Sequence, residues 1–528
     1  MKHPASFSIP SYARYALCLL LAFLTVVAFG LNLSPQLPNS LREAYRGGEP
    51  LAGIYNLILT LHASYRLENL TALLLGLGCF WLYRRFFLTG RGGLTLGEIG
   101  LSCFFALTML LSQLFAIEET VYSIASSPTQ FLKCALYFGG MATLFLAGVR
   151  GLEEMLSQAR RLPPLKEGTL WARHPFLCPM ATLLAAWLPW LIMKYPGGMS
   201  PDVTTQICDF LDGWVNASHP LFTSVFYGLC YQAGASLGHP NEGIFLMTLF
   251  QTVLMLLVLS YAMCQMRQWK LPRALYLCVL LLFCFAPNYS GWVTCLVKDV
   301  PYVSACLLLA VLLHQQSLSG EFLLKKRNLI LLFLAWITLW LWRKNGMVMV
   351  AVSGLYLLIS AAHSNPKKAA LVRLACVLLA SAAVPLTLNG WISSVYSVTP
   401  SAQREAYSLP IQMTAQVVVL HGDELSQAEK DTIDPILTYD RIEECFNPVI
   451  TDGVKQIFHE NATAEQFADY RALVLRQFFR YPLDYCNAHL NLIYRLFDLN
   501  SDRIENASIY LTREISHPYY NRSYTNEL

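Results

Sequence analysis

The sequence predicts an all-α polytopic membrane protein. About eleven transmembrane helices are expected, with juxtamembrane helices and a mainly helical extracytoplasmic C-terminal domain. Three observations lead there. Of the 528 residues, 55% are hydrophobic and only 14% are charged, against about a quarter charged in a soluble domain. Mean hydropathy is +0.42. Apolar runs of about 20 residues, the length that crosses a bilayer as a helix, recur along the chain.

The first run, Tyr15 to Leu33, follows Lys2 and Arg14. It is too long for the apolar stretch of a signal peptide, and Gly30-Leu-Asn-Leu-Ser34 is a poor cleavage site, so it reads as an anchor. Spans are expected near 14–33, 68–83, 98–117, 131–149, 176–194, 243–263, 274–290, 301–316, 329–342, 346–361 and 371–390. Residues 51–64 are short for a span. Residues 221–238 carry Ser224, Tyr227, Tyr231, Gln232, Ser236 and three glycines. Both read as interfacial helices.

Short loops rich in Lys and Arg stay in the cytoplasm. Five such loops are present: Arg84/Arg85/Arg91, Arg150/Arg160/Arg161/Lys166/Arg173, Arg267/Lys270/Arg273, Lys325/Lys326/Arg327 and Lys367/Lys368/Arg373. A cytoplasmic N-terminus puts all five inside, provided 221–238 does not cross. The outer side of the cell membrane then receives 34–67, 118–130, 195–242, 291–300, 343–345 and 391–528. This organises the chain as N-terminal transmembrane helices (1–175), a transmembrane core bearing outer loop 195–242 (176–390) and an extracytoplasmic domain (391–528). In that domain Ala464 to Phe497 reads as two helices parted by Tyr481-Pro482.

Several function classes drop out. The net charge is +4 with no basic stripe interleaved with aromatics, so no nucleic-acid partner is expected. Neither a phosphate-binding Gly-rich loop nor a dinucleotide motif occurs. Most of the 15 cysteines lie in apolar runs, and without a C-x-x-C motif structural zinc is not expected. Cys445 and Cys486 lie in the polar part, where a disulfide between them is open.

The chemistry concentrates in the outer loops. Asp202 follows Tyr195-Pro-Gly-Gly-Met-Ser-Pro, where the glycines let backbone approach a ligand closely. As a carboxylate it suits a general base, while the plainer reading is a helix N-cap before Val-Thr-Thr-Gln. Asp209 and Asp212 share a helix face and read as solvated rather than metal-binding. His219, in Ser218-His-Pro-Leu221, shares the loop with Asp202 and is a second catalytic candidate. His239-Pro240 reads as a structural turn. Gly234-Ala-Ser236-Leu-Gly238 matches the nucleophile-elbow letters without the strand–turn–helix setting.

Lys298-Asp299 and the turn Arg343-Lys344-Asn345-Gly346 break the positive-inside pattern. Cations at headgroup depth on an outer face suit an anion, and a lipid-linked phosphate is the natural one. The bland alternative is snorkelling to ordinary headgroups. Lys298, Asp299, Arg343, Lys344 and Asn345 are therefore the candidate phosphate-binding residues.

This pattern resembles the GT-C class of membrane glycosyltransferases, which includes protein mannosyltransferases and aminoarabinose transferases. Asp202 matches that class's acidic residue in an outer loop after a membrane helix. His219-Pro220-Leu221 matches its His-Pro-Pro-Leu-like turn with one proline missing. Together with Lys298-Asp299, Arg343-Lys-Asn-Gly346 and Leu409-Pro-Ile-Gln-Met413, these residues look most like an uncharacterised bacterial branch of the class. The resemblance covers about residues 176–500 and leaves the first four spans without a counterpart. It implies a GT-C-like fold, a polyprenyl-phosphate-linked sugar donor drawn from among the membrane lipids, and a cell-envelope acceptor. Asp202 would deprotonate the acceptor, and Lys298 and Arg343 would neutralise the leaving phosphate. The acidic pair of the mannosyltransferases is here Asp202 followed by Val203, so no cofactor is assigned, no metal ligand is named, and a divalent metal stays open. Two rivals remain: a flippase or transporter of lipid-linked glycans, and a non-catalytic envelope-assembly protein. A transporter favours mid-membrane charges and related halves, and neither is visible.

Overall fold

A computed structural model describes residues 11–35, 52–88, 93–159, 168–363, 366–497, 514–516 and 523–525. Arg91, Arg160, Arg161 and Lys166 of the basic loops lie outside the described residues, as does Lys2. The fold is that of an all-α polytopic membrane protein. Among the described residues, seven helices are long and apolar enough to cross a bilayer: Tyr12–Gly30, Asn69–Phe87, Leu96–Glu118, Pro128–Ser157, Pro240–Gln268, Asp299–Leu318 and Lys368–Val395. Three further apolar helices are shorter, Leu177–Met193, Arg273–Phe285 and Gly346–Ala362. The helix Lys326–Trp342 has 17 residues. The short stretches expected at the interface are single helices, Ala52–Ser64 and Leu221–Ser236.

The chain packs as two compact units. One joins Met1–Met155 to Gln403–Arg503. Its N-terminal helices meet through small residues: a Cβ on Gly140 would lie 2.5 Å from that of Ala28. Lys133, fully buried, donates to the carbonyls of Asn32 at 3.3 Å and Ser34 at 2.7 Å. Arg150 reaches Glu98 at 3.0 Å and the carbonyls of Phe86 and Gly93. The C-terminal part has its own core, with Ile411, Ala415, Ile433, Leu437, Phe467 and Leu473. Its last helices are Ala464–Arg480 and Pro482–Ile493, parted at Tyr481-Pro482 as the sequence suggests. Cys445 and Cys486 are free thiols.

Within this unit the Leu96–Glu118 helix has a local role. Asn491 donates to the Glu119 carbonyl at 2.7 Å, and Asn487 bonds Thr120 Oγ1 and the Val121 amide. Asn487 and Asn491 sit one turn apart on one helix face, and both are buried. The C-terminal helices are thereby fastened to the turn that ends Leu96–Glu118.

The second unit comprises Leu156–Ala402 and Ile504–Leu528. Its helices interlock through buried indoles and amides. Trp187 Nε1 donates to the Phe283 carbonyl at 3.0 Å, and Trp336 Nε1 to Ser353 Oγ at 2.9 Å. Gln316 reaches Ser360 at 2.8 Å. Each satisfies a donor that would otherwise cost about 1–3 kcal/mol unpaired. At one set of helix ends Arg267 donates to the Trp171 carbonyl and Arg373 to the Leu324 carbonyl. At the others lie the loops that hold the candidate residues.

Candidate functional site

Three backbone devices, all in the second unit, build the site. The first is a parallel bridge of Gly198–Met199 with Cys295–Leu296. Each strand runs into a helix, Pro201–Leu211 and Asp299–Leu318, so Ser200-Pro-Asp202 and Lys298-Asp299 emerge side by side. Gln251 clamps the bridge, donating to the carbonyls of Val293 and Cys295 at 2.8 Å each. Gly197 has φ +131°, and a Cβ there would lie 2.2 Å from the Thr248 hydroxyl. Gly197 is thus required for close packing on the Pro240–Gln268 helix.

The second device pairs Trp214–Asn216 with Ser397–Thr399, also parallel. Asn216 Oδ1 then accepts from the Ser218 amide at 2.8 Å, a side-chain turn that presents His219. The third is the turn after Trp342. Arg343 is extended, and the Gly346 amide returns to its carbonyl at 2.9 Å. A Cβ on Gly346 would sit 1.9 Å from the Leu339 carbonyl oxygen. Gly346→Ala is therefore expected to destabilise by about 1–3 kcal/mol. The readout is a lowered unfolding temperature of the purified protein.

These devices bring together residues far apart in sequence. Lys298 Nζ lies 2.5 Å from Asp202 Oδ2 and 3.2 Å from His219 Nδ1. An ammonium can only donate, so Nδ1 accepts and the neutral imidazole carries its proton on Nε2. Lys298 is 13% exposed at its side chain and Asp202 is 55% exposed. The lysine is therefore the fixed centre, and the carboxylate is the member open to solvent. Arg343 Nε donates to Asp299 Oδ1 at 2.5 Å, and its Nη2 meets the same oxygen. Lys344 Nζ donates to the Ala217 carbonyl. Asn345 precedes the Gly346–Ala362 helix, and no side-chain hydrogen bond to the cluster is made among the described residues.

Asp202 is not the helix cap. Ser200 is, accepting from the Val203 amide, with Pro201 in the first helical position. Asp202 stands in the first turn, where the helix dipole favours a negative charge. Partial burial pushes its carboxyl up, but the charge and hydrogen bond of Lys298 outweigh this. With smaller help from the Arg343 charge, they hold it below the usual carboxylate range. The stability this adds is present above the ordinary Asp value of about 3.9 and lost as pH falls below it.

Other expectations change. Asp209 is buried rather than solvated, because its helix packs on Leu221–Ser236. Asp212 is the C-terminal cap of the same helix. Asp299 meets Arg343, so it bears on an anion through that residue. Among the described residues no group of three His, Cys, Asp or Glu side chains has metal-binding placement. His239 caps the Pro240–Gln268 helix, and Ser236 lies in a helix without an elbow.

The sequence reading missed two residues. Gln206, fully buried, donates to the Asp202 carbonyl at 3.0 Å. Its oxygen accepts from Thr223 at 2.6 Å and Ser224 at 3.2 Å, which locks the Asp202 helix to its neighbour. Tyr227 lies beneath the cluster, its ring 5.9 Å from that of Trp342. The signal for both was a polar residue recurring on the apolar face of a short helix.

Beside His219 and Lys344 opens a cavity of about 440 Å³. Leu221, Trp340, Leu341 and Met347 give it apolar walls, and Asn389 and Ser401 add polar groups. A cationic rim over apolar walls suits an amphiphile with an anionic head.

Residues 199–526, more than half of the chain, match the model of a family of unknown function, DUF6020. The match contains every residue of the cluster. No curated protein matches, and neither does any solved structure.

Proposed function

We propose that this chain, which belongs to the DUF6020 family of unknown function, is a membrane glycosyltransferase of GT-C-like architecture. It moves a sugar from a polyprenyl-phosphate donor to a cell-envelope acceptor on the outer face of the cell membrane. The supporting observation is the convergence of Asp202, His219, Lys298, Asp299 and Arg343 beside a cavity with apolar walls.

The acceptor oxygen attacks the anomeric carbon and its proton passes to Asp202. The bond from that carbon to the donor phosphate breaks, and its electron pair stays on the phosphate. Asp202 is ionised at neutral pH and half open to solvent, as a base for an incoming hydroxyl must be. Lys298 uses two of its three N–H groups on Asp202 and His219, which leaves one for the phosphate. Lys298, Arg343 and Lys344 outnumber the two carboxylates, so the formal charge of the cluster is +1 with neutral His219. That excess favours the leaving group.

Packing agrees with the grouping of loops into two sides that charge suggests. Loops assigned to the outer side contact one another within each unit: 119–121 with 487–491, 294–299 with both 195–202 and 217–219, and 343–344 with 217 and 299. Loops assigned to the cytoplasm do likewise, as in Arg85–Glu154 and Arg373 to Leu324. With eleven crossings the N-terminus is cytoplasmic and the C-terminal domain outside. A cysteine at position 430 is then labelled by an impermeant maleimide in intact cells, and one at 326 is not. The opposite pattern would remove the site from the outer face. The reaction itself is tested by incubating purified protein with polyprenyl-phosphate sugars. Release or transfer of sugar is expected, and an unconsumed donor series would contradict the assignment.

A further inference from the structure

Tyr227 has a feature that the proposed reaction leaves unused. Its phenol is fully buried, and its oxygen has no hydrogen-bond partner among the described residues. A buried hydroxyl without a partner costs about 1–3 kcal/mol, so its persistence calls for a use. The side chain is held firmly. It packs with Met199, Val203, Ile207 and Leu296, which flank the two strand-to-helix turns, and against Trp342, next to Arg343.

The phenol keeps its proton. Burial pushes it well above the usual tyrosine range, and the charges of Asp299 and Asp202 push the same way. It is therefore a donor at any physiological pH, within the field of both carboxylates. Those carboxylates already have partners: Asp202 in Lys298, and Asp299 in Arg343 through one oxygen.

An anionic ligand changes this. A phosphate that draws Arg343 to itself takes from Asp299 the only cation paired with it among the described residues. A carboxylate left so beside an anion is unfavourable unless a donor replaces the arginine. We propose that Tyr227 is that donor: when Arg343 turns to a phosphate-bearing ligand, Asp299 turns to the Tyr227 hydroxyl. Tyr227 is thus a positioning residue, whose hydroxyl is bonded once a phosphate engages Arg343 and has no partner among the described residues before that. The inference rests on the phosphate reading of the cluster.

The test is Tyr227→Phe in the full-length protein, with geranyl phosphate and inorganic phosphate as probes. Removing an unpaired buried hydroxyl is expected to leave the unfolding temperature of the empty protein unchanged or raise it. Affinity for geranyl phosphate is expected to fall about tenfold, the value of one hydrogen bond to a charged group. In an Asp299→Asn background that loss should largely disappear, because the acceptor charge is gone. An equal fall with inorganic phosphate would locate the recognition in the phosphoryl group. A fall with geranyl phosphate alone would assign it to the lipid-linked form. Unchanged affinity for both probes would overturn the role of Tyr227 while leaving the phosphate site intact. A clear drop in the unfolding temperature of the empty protein would overturn it too, by showing that the phenol is already bonded. Wild-type protein that binds neither probe would overturn both this inference and the phosphate reading.

Discussion

Asp202→Asn is expected to lower sugar transfer by about 10²–10⁴-fold, the usual value of a general base, with little change in folded yield. The structure makes this a cleaner experiment than the sequence suggests. Ser200, not Asp202, caps the Pro201–Leu211 helix, so the substitution leaves the cap untouched. Asn still offers Lys298 an oxygen. What it removes is the negative charge and the capacity to take a proton. The half-exposed pair with Lys298 contributes at most about 1 kcal/mol to stability. Transfer and unfolding temperature, measured together, should therefore separate widely. Near-normal turnover in the Asn variant would reduce Asp202 to the partner of Lys298.

Arg343→Ala is expected to weaken donor binding about ten- to hundredfold, from the loss of a contact worth roughly 1.5–3 kcal/mol. Its partner adds to the effect. Without Arg343, Asp299 keeps a carboxylate next to the phosphate position and repels it. Removing both charges, as Arg343→Ala with Asp299→Asn, should recover part of the loss. Lys at position 343 should rescue only partly, because one ammonium lacks the guanidinium fork. Equilibrium binding of geranyl phosphate provides the check. Equal affinity in the Ala variant would take Arg343 out of the site.

Much of the fold was legible because bilayer length imposes a strong pattern. The Pro240–Gln268 and Lys367–Val395 helices follow from apolar runs alone. So does the break at Tyr481-Pro482, where proline ends one helix and begins the next. Segments near the minimum length are less decided, as with the 13-residue Arg273–Phe285 helix. Asp202 has the composition of a cap, but Ser200-Pro201 carries the better signal, since proline favours the first helical position. Asp209 looked solvated because its helix is short and polar. Burial came from the neighbouring Leu221–Ser236 helix, which spacing within one helix cannot reveal.

The site was legible as residues and not as pairs. In sequence Lys298 and Asp202 are separate phosphate and base groups, and the structure joins them across 96 positions. Their meeting depends on a two-residue bridge, Gly198–Met199 on Cys295–Leu296, too short to leave a strand pattern. The second bridge, which sets His219, spans three residues. In sequence Tyr227 is one polar residue of an interfacial helix. Its burial without a partner is a property of packing.

In the proposed reaction this cluster receives the phosphate of a lipid-linked sugar. An experimental structure in a lipid nanodisc with bound polyprenyl phosphate tests it most directly. The phosphate is expected within hydrogen-bond reach of Lys298 and Arg343, with Arg343 turned away from Asp299 and the start of the prenyl chain along Trp340 and Leu341. Phosphate bound elsewhere, with the Lys298–Asp202 and Arg343–Asp299 pairs intact, would contradict the claim.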